Sequence, residues 1–148
     1  MSVWYEGSRD IACDMEAVRR SVANPGEYFT GVVRRMPGMT TVELVESGAD
    51  HVTLRTNEGV MRRTQIATRD EGDLVVIEFD EEYQAGTKVT THSHFREQFR
   101  PSETGVTYTT EVSGVKASGV LGFLYRTFGS SNMGKAFLEA QAAYFEQR

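Results

Sequence analysis

Hydrophobic and polar residues alternate through most of the middle of the chain. Runs rich in Val, Thr, Ile, Phe and Tyr are separated by turn residues such as Pro37, Gly48, Gly59, Gly72 and Gly86. Regular turns around β-branched and aromatic runs are typical of antiparallel strands that follow one another in a meander. The pattern therefore predicts seven strands, at residues 3–11, 39–46, 51–57, 60–69, 73–80, 87–100 and 105–113.

Two short helices are predicted between the first strand and the second. Asp14 is placed to cap the first helix, in which apolar residues then recur at helical spacing. Asn24 followed by Pro25 is a second helix start, because proline fits the first helical position. Tyr28 and Phe29 would form the apolar side of this second helix.

The C-terminal residues predict one long helix. From residue 133 to residue 147 the only glycine is Gly134, proline is absent and helix-forming residues are frequent. Phe137, Gln141 and Tyr144 fall on one stripe, so this helix has a broad apolar face. Because the sheet must bury one of its faces, we expect an α+β arrangement in which this helix covers it. The glycine-flanked segment 117–129 is expected to be a short helix or a flap over an entrance.

Strand alternation predicts which side chains of the sheet face the core. In strand 87–100, Phe95, Glu97 and Phe99 share one row, whereas His92 and His94 belong to the polar row on the opposite face. The same reasoning assigns to the inner face Val42, Leu44, Val52, Leu54, Val75, Ile77, Phe79, Val106, Tyr108, Thr110 and Val112.

Two charged residues fall on the predicted inner face. Glu97 stands between two phenylalanines, and the alternation of strand 60–69 points Arg62 inward together with Val60 and Ile66. A charge on a covered face is unfavourable unless it is paired or hydrated. Three explanations are open. The side chains reach the sheet edge, or a bulge shifts the alternation, or they are the few polar anchors of an otherwise apolar pocket.

The composition is that of an ordinary globular protein, with 39% hydrophobic and 25% charged residues, and 148 residues suffice for one domain, 1–148. A net charge of −5 argues against nucleic-acid binding, which relies on clustered positive charge. Glu6, Arg9 and Asp10 occupy the place of an export signal's apolar core. Apolar runs stay shorter than the ~17–25 residues of a membrane-spanning helix. We therefore expect a cytoplasmic protein without stable membrane insertion.

The most metal-like motif is His92-x-His94, followed by Glu97. It resembles the first metal motif of the cupins, but the glutamate follows the second histidine at a shorter spacing, and no later histidine supplies a further ligand. The alternation also places Glu97 on the opposite face of the strand. Cys13 is the only cysteine, and no phosphate-binding loop or nucleophile motif is present. We expect a solvated strand face, no metal and no cofactor.

Several short segments occur in a characteristic order: Asp10-Ile11-Ala12 at the end of the first strand, residues 24–29, residues 86–90, residues 105–108 and the final helix. This order resembles the Bet v 1-like, or START-related, helix-grip superfamily, which includes polyketide cyclase/dehydrase and lipid-transport proteins. The resemblance covers nearly the whole chain; one departure is Cys13, where relatives often have proline. It implies a curved seven-stranded antiparallel sheet that grips the C-terminal helix around a cavity for sterols, lipids, polyketides, plant hormones or quinones.

Three functions are consistent with this resemblance. The first is binding or carriage of a hydrophobic small molecule, such as a lipid or polyketide, between sheet and helix. The second is a cyclase or dehydratase that uses Arg62, Glu97 and Tyr108 for acid–base chemistry. The third is a regulator with a filled core and no pocket; a homodimer is compatible with each. The predicted ligand-binding residues are Phe29, Arg62, Val75, Ile77, Phe79, Phe95, Glu97, Tyr108, Phe137 and Tyr144.

Overall fold

All seven predicted strands join one antiparallel sheet, in the order β1-β7-β6-β5-β4-β3-β2. The computed structural model describes residues 2–86, 89–117 and 130–147, so residues 118–129 of the predicted flap lie outside the described part of the chain. The elements are β1 (Val3–Ile11), α1 (Met15–Val22), α2 (Pro25–Arg34), β2 (Val42–Ser47), β3 (Val52–Thr56), β4 (Gly59–Asp70), β5 (Val75–Ala85), β6 (Val89–Ser102), β7 (Gly105–Ala117) and α3 (Ser130–Glu146).

Strand β5 is longer than its sequence pattern predicts. The alternation of β5 weakens after Asp80, where acidic residues accumulate, yet the strand continues to Ala85. In this extension Glu81 lies opposite Arg63 and Glu82 lies opposite Arg62 on the neighbouring strand β4. Because opposite charges face each other across the two strands, the acidic residues favour pairing there instead of ending it.

A bulge interrupts strand β4 and reverses its alternation. The register with β5 shifts between Thr64 and Ala67, and Gln65 has a positive φ of 55°. Before the bulge the buried residues are Met61 and Arg63, and after it the next buried residue is Ile66. Residues three apart thus share one face, which a regular strand does not allow.

The bulge corrects one prediction about the inner face. Ile66 is buried as expected, but Arg62 points outward, with 48% of its side chain exposed and its Nη1 3.6 Å from Glu82 Oε1. Its neighbour Arg63 takes the inward position instead. The inward direction of Arg62 is wrong because counting from Ile66 with a strict period of two ignores the extra residue. Of the alternatives left open by the sequence, the bulge that shifts the alternation is the one that the structure has.

A second correction concerns β2. Val42 is buried as predicted, but Leu44 is 41% exposed, and the register with β3 shifts directly after it.

Both predicted helix starts between β1 and β2 are confirmed. The Asp14 carboxylate accepts a hydrogen bond of 2.8 Å from the backbone N–H of Ala17, and Asn24 accepts one of 3.3 Å from Glu27. These bonds satisfy N–H groups that have no partner within the first helical turn. None of the described helices has the length and apolar character needed to cross a membrane.

Helix α3 packs on the concave inner face of the curved sheet, as the apolar stripe predicts. Phe137 meets Phe95 of β6 edge to face at 5.5 Å, and Phe145 meets Phe99 at 5.9 Å. Gln141, on the same stripe, is buried. Aromatic pairs at these distances stabilise the contact beyond simple area burial. The predicted α+β helix-grip arrangement is confirmed.

Candidate functional site

A cavity of about 580 Å³ lies between the inner face of the sheet, helix α2 and helix α3. Most of its described lining is apolar: Trp4, Val32, Val33, Met36, Pro37, Met39, Met61, Ala85, Phe95, Val112, Val115, Met133, Ala136 and Phe137. The polar lining consists of Glu58, Arg63, Glu81, Tyr83, Thr91, Ser93 and Asn132. This volume does not agree with the hypothesis of a filled core, because closely packed interiors contain few voids larger than a water molecule.

Methionine is prominent in the cavity wall. Met36 and Met39 come from the turn after α2, Met61 from β4 and Met133 from α3. The unbranched, polarisable thioether adapts to differently shaped partners at low conformational cost. The wall can therefore change its shape at low conformational cost.

An ion pair between β4 and β5 lies on the cavity wall. Arg63 Nε and Nη2 donate to Glu81 Oε1 over 3.2 and 3.1 Å, and the two side chains are only 7% and 10% exposed. The guanidinium also lies 4.5 Å from the ring centre of Phe29 and 4.6 Å from that of Phe79. Stacking on aromatic faces and pairing with a carboxylate together offset the cost of burying the charge.

Glu97 forms the centre of a second buried polar cluster, deeper between the sheet and the helices. Tyr28 of α2 donates to Glu97 Oε1 over 3.0 Å, and Tyr108 of β7 donates to Glu97 Oε2 in a short hydrogen bond. Gln141 of α3 donates through Nε2 to the hydroxyl of Tyr28, again in a short bond. The cluster joins the sheet to both helices, and we name Tyr28, Glu97, Tyr108 and Gln141 the glutamate cluster.

Burial dominates the acid–base properties of this cluster. It raises the pKa of Glu97, although the hydrogen bond from Tyr108 and the positive charge of Arg63 act in the opposite direction. Burial, reinforced by the nearby Glu97 carboxyl, also raises the pKa values of Tyr28 and Tyr108 well above those of ordinary tyrosines. Both phenols therefore remain protonated at neutral pH and act as hydrogen-bond donors.

A small chamber of about 20 Å³ lies beside the glutamate cluster and next to the larger cavity. Its lining includes all four residues of the cluster together with Phe29. The remaining lining residues, which also line the larger cavity, are Val32, Arg63, Phe95 and Phe137. A space of this size holds about one water molecule or a group of similar size.

A third polar group lies elsewhere on the cavity wall. The Tyr83 hydroxyl donates to Glu58 Oε1 over 3.1 Å and lies 3.1 Å from Thr56 Oγ1. Burial raises the pKa of Tyr83 to about 12, and the negative charge of Glu58 adds to the effect. Tyr83 is therefore another neutral donor whose position is set by β3 and the β3–β4 turn.

The structure divides the predicted ligand-binding residues into three groups. Phe95 and Phe137 line both cavities, and Phe29, Glu97 and Tyr108 line the small chamber. Four residues are buried but line neither cavity: Val75, Ile77, Phe79 and Tyr144. Arg62 lies on the outer face of the sheet.

The four residues outside the linings belong to the packed core. Phe79 stacks on Phe95 at 5.0 Å and lies beneath the Arg63 guanidinium, while Tyr144 packs edge to face on Tyr28 at 5.7 Å. Strand alternation separates the inner face from the outer one, but it does not tell which inner residues border empty space. That distinction depends on where the helices touch the sheet.

Several cavity residues have no distinctive sequence signal. Trp4 lies near the start of the edge strand β1, and Met36 and Met39 flank a Pro-Gly turn that reads as solvent-exposed. Tyr83 is the exception, because it is an aromatic residue among charged residues. The hydroxyl group of a buried tyrosine needs a hydrogen-bond partner, and the charged neighbours can supply one.

The two histidines of the cupin-like motif lie apart from these cavities. His94 faces outward between two acidic side chains, with Nδ1 2.8 Å from Asp80 and Nε2 3.0 Å from Glu78. Glu97 lies on the other face of the same strand, as the alternation predicts. Within residues 2–86, 89–117 and 130–147, no group of three or more His, Cys, Asp or Glu side chains is arranged to hold a metal ion.

Comparison with known proteins supports the fold and not a particular family. No protein-family model matches the chain, and neither does any curated protein. Solved structures do match over almost the whole chain. A conserved protein from Geobacillus kaustophilus has a TM-score of 0.65 at 12% identity, with coverage of 96% of this chain and 91% of the other. A hypothetical protein from Helicobacter pylori has a TM-score of 0.63 at 11% identity, covering 95% and 85%.

A further match is described as a fragment of a STAR-related lipid transfer protein from Xanthomonas axonopodis. Its TM-score is 0.60 at 14% identity, and the match covers 95% of this chain and 84% of that one. At such low identity the similarity concerns the fold alone. This protein thus has the helix-grip fold that the order of its sequence segments predicts.

Proposed function

We propose that the protein binds a hydrophobic small molecule, such as a lipid or polyketide, in the cavity between the sheet and helix α3. The observation that carries this proposal is the cavity of about 580 Å³ with a mostly apolar wall. Sites for small organic ligands have volumes of roughly 300–1,000 Å³ and combine apolar walls with a few polar groups. Arg63, Glu81 and the glutamate cluster are the polar groups here.

The expected affinity follows from the apolar area that a ligand buries. A ligand that fills the cavity and buries about 400 Å² of apolar surface gains about 10 kcal/mol, at roughly 25 cal/mol per Å². Losing translational and rotational freedom removes at least about 4 kcal/mol of this gain. The remainder corresponds to a dissociation constant between micromolar and millimolar, and specific polar contacts can tighten it.

The similarity to a STAR-related lipid transfer fragment favours a lipid-like ligand, and it supports placing the chain in the Bet v 1-like, or START-related, superfamily. The proposal does not depend on this likeness, because the fold alone hosts different functions. The geometry of the cavity and the chemistry of its wall support it independently.

A fluorescence titration tests the proposal. The neutral dye N-phenyl-1-naphthylamine brightens in apolar sites, and we expect saturable binding by the wild-type protein. Replacing Ala136, which lines the cavity from α3, by Trp fills part of the space and should weaken binding about tenfold or more. Lys135→Trp adds the same ring on the exposed side of the same helix and should leave binding unchanged. Absence of dye binding by folded wild type, or equal effects of the two substitutions, contradicts the proposal.

A second function, cyclisation or dehydration of a carbonyl compound, is favoured by the juxtaposition of Glu97, Tyr108 and Arg63. A buried carboxyl with a raised pKa beside protonated phenols can exchange protons with a substrate. Incubation with a β-hydroxyketone and mass analysis of the products tests it. In an enzyme, Glu97→Gln should abolish product formation while dye binding persists, whereas a pure binding protein forms no product even as wild type.

A further inference from the structure

The small chamber lies at the boundary between the apolar cavity and the glutamate cluster. Val32, Arg63, Phe95 and Phe137 line both spaces, so a ligand in the larger cavity that lies against these residues has one end next to the chamber. At about 20 Å³ the chamber accepts a group of about the size of one water molecule. A terminal hydroxyl fits this limit, whereas a carboxylate with its two oxygens does not.

On one side, the chamber offers hydrogen-bond acceptors. Three donors of the cluster are engaged: both phenol groups donate to Glu97, and one N–H of Gln141 donates to Tyr28. The two carboxyl oxygens of Glu97 have more lone pairs than the two that the phenols use, and the Tyr108 oxygen can also accept. A ligand group that donates a hydrogen bond therefore finds open positions at Glu97 and Tyr108.

On the other side, the chamber offers donors from Arg63. A guanidinium has five N–H donors, and the two contacts with Glu81 use two of them. Arg63 also lines the chamber, so a ligand group that accepts a hydrogen bond finds a partner there. Acceptors and donors thus meet in a space for one small group.

Only a neutral group that both donates and accepts satisfies both sides. A carbonyl or ether oxygen only accepts, and it would leave the acceptors of Glu97 unused. An ammonium group only donates, and it would lie beside the positive Arg63. A carboxylate would add a negative charge next to Glu97 and Glu81, which is costly in a buried site.

We infer that the chamber is a subsite for the hydroxyl group of an otherwise apolar ligand. In this subsite Glu97 accepts a hydrogen bond from the hydroxyl group, and Arg63 donates one to the hydroxyl oxygen. This inference rests on the proposed function, because the apolar body of the same ligand occupies the larger cavity. The protein then selects apolar alcohols over ethers, acids and amines of matching length.

Competition with N-phenyl-1-naphthylamine tests the inference with four matched compounds: 1-decanol, decyl methyl ether, decanoate and decylamine. In wild type we expect 1-decanol to displace the dye at a concentration about tenfold or more below that of each other compound. The other compounds leave a buried polar group of the chamber without a hydrogen-bond partner or add a charge beside it, and an unpaired buried group weakens binding by about that factor. Equal potency of alcohol and ether, or a tighter acid or amine, overturns the inference while the proposed function stands.

Variants identify the chamber as the origin of this preference. Glu97→Met removes both carboxylate oxygens at similar length and frees the two phenol donors, which bind ether and alcohol alike. The ratio of alcohol to ether potency should then fall towards one. Tyr108→Phe, the second variant, leaves Glu97 in place with an additional open acceptor and should keep the preference. An unchanged ratio in Glu97→Met, or a preference lost in Tyr108→Phe, overturns the assignment.

Val115→Ala provides the matched control. Val115 lines the larger cavity but not the small chamber. Its truncation should weaken all four compounds by a similar factor and leave the alcohol-to-ether ratio as in wild type. If instead the dye itself fails to bind to folded wild type, the proposed function fails and the inference falls with it.

Discussion

Replacing Tyr108 by Phe should destabilise the protein more at neutral pH than in acid. The substitution removes one oxygen atom, which donates a short hydrogen bond to the buried Glu97 carboxyl. A hydrogen bond to a charged group contributes about 1.5–3 kcal/mol, whereas one between neutral groups contributes about 0.5–1.5 kcal/mol. The loss should therefore be about 2 kcal/mol where Glu97 is ionised and about 1 kcal/mol where it is protonated.

The sign of the pH dependence follows from the raised pKa of Glu97. Burial raises that pKa in the folded protein, so the contribution of Glu97 to stability is complete below its unfolded pKa of about 4.3. It is lost as the pH rises through the folded pKa. The hydrogen bond from Tyr108 lowers the pKa of Glu97 in the folded protein, so Tyr108→Phe raises that pKa. The variant therefore loses more folding stability than wild type as the pH rises. The difference in stability between wild type and variant must grow as the pH rises.

Urea unfolding followed by far-UV circular dichroism, at about pH 4 and about pH 8, measures this difference. Tyr144→Phe is the control, since the Tyr144 hydroxyl lies 3.5 Å from the Ser21 hydroxyl and not against Glu97. Its effect on the free energy of unfolding should be the same at both pH values. A Tyr108→Phe penalty that is constant with pH, or larger in acid, would refute the reasoning about Glu97.

Three further predictions concern the sheet. Arg63→Ala should cost about 3–5 kcal/mol because it leaves Glu81 buried without its partner. Arg62→Ala on the outer face should cost less than about 1 kcal/mol; equal losses in urea unfolding would refute the assigned directions. Gln65→Gly should stabilise by about 0.5–1 kcal/mol, since glycine adopts the positive φ of the bulge without strain; a lower Tm would contradict this. Desolvation lowers the pKa of His94, but hydrogen bonds and charges from Asp80 and Glu78 outweigh it, so the pKa in the folded protein is raised. His94→Gln should therefore destabilise the protein below about pH 6.5, and progressively less as the pH rises through the raised pKa. A loss of stability that grows with pH would argue against the ion pairs of His94.

The strand and helix assignments needed only local information. Turn residues at regular intervals, the caps Asp14 and Asn24, and the apolar stripe of the C-terminal segment are each read within a few residues. The inward direction of Glu97 also follows from such local reading, because β6 alternates without interruption from Phe95 to Phe99. For these features the local preference of the chain and the final structure agree.

The direction of Arg62 and Arg63 could not be read in the same way. Either arginine is compatible with the alternating pattern, and the choice depends on a single extra residue at Gln65. Gln65 has no turn-forming character, so the charge predicted on the inner face indicates a bulge as one possibility but not its position. Pairing with β5 does not decide it, because each arginine has an acidic partner there. The packing of α2 decides it: the Arg63 guanidinium lies over the ring of Phe29, whereas the pair of Arg62 and Glu82 lies on the exposed face.

The sequence by itself determined the order of elements, the inner face of most strands and the need for a helix to cover the sheet, because these depend on periodicity and on residues close in the chain. Only the tertiary structure decided which inner residues border empty space. Phe79 and Phe95 have the same pattern in their strands, yet Phe95 lines the cavity and Phe79 lies within the core. Close packing between helices and sheet fills some regions and leaves others open, and this depends on contacts between residues far apart in sequence.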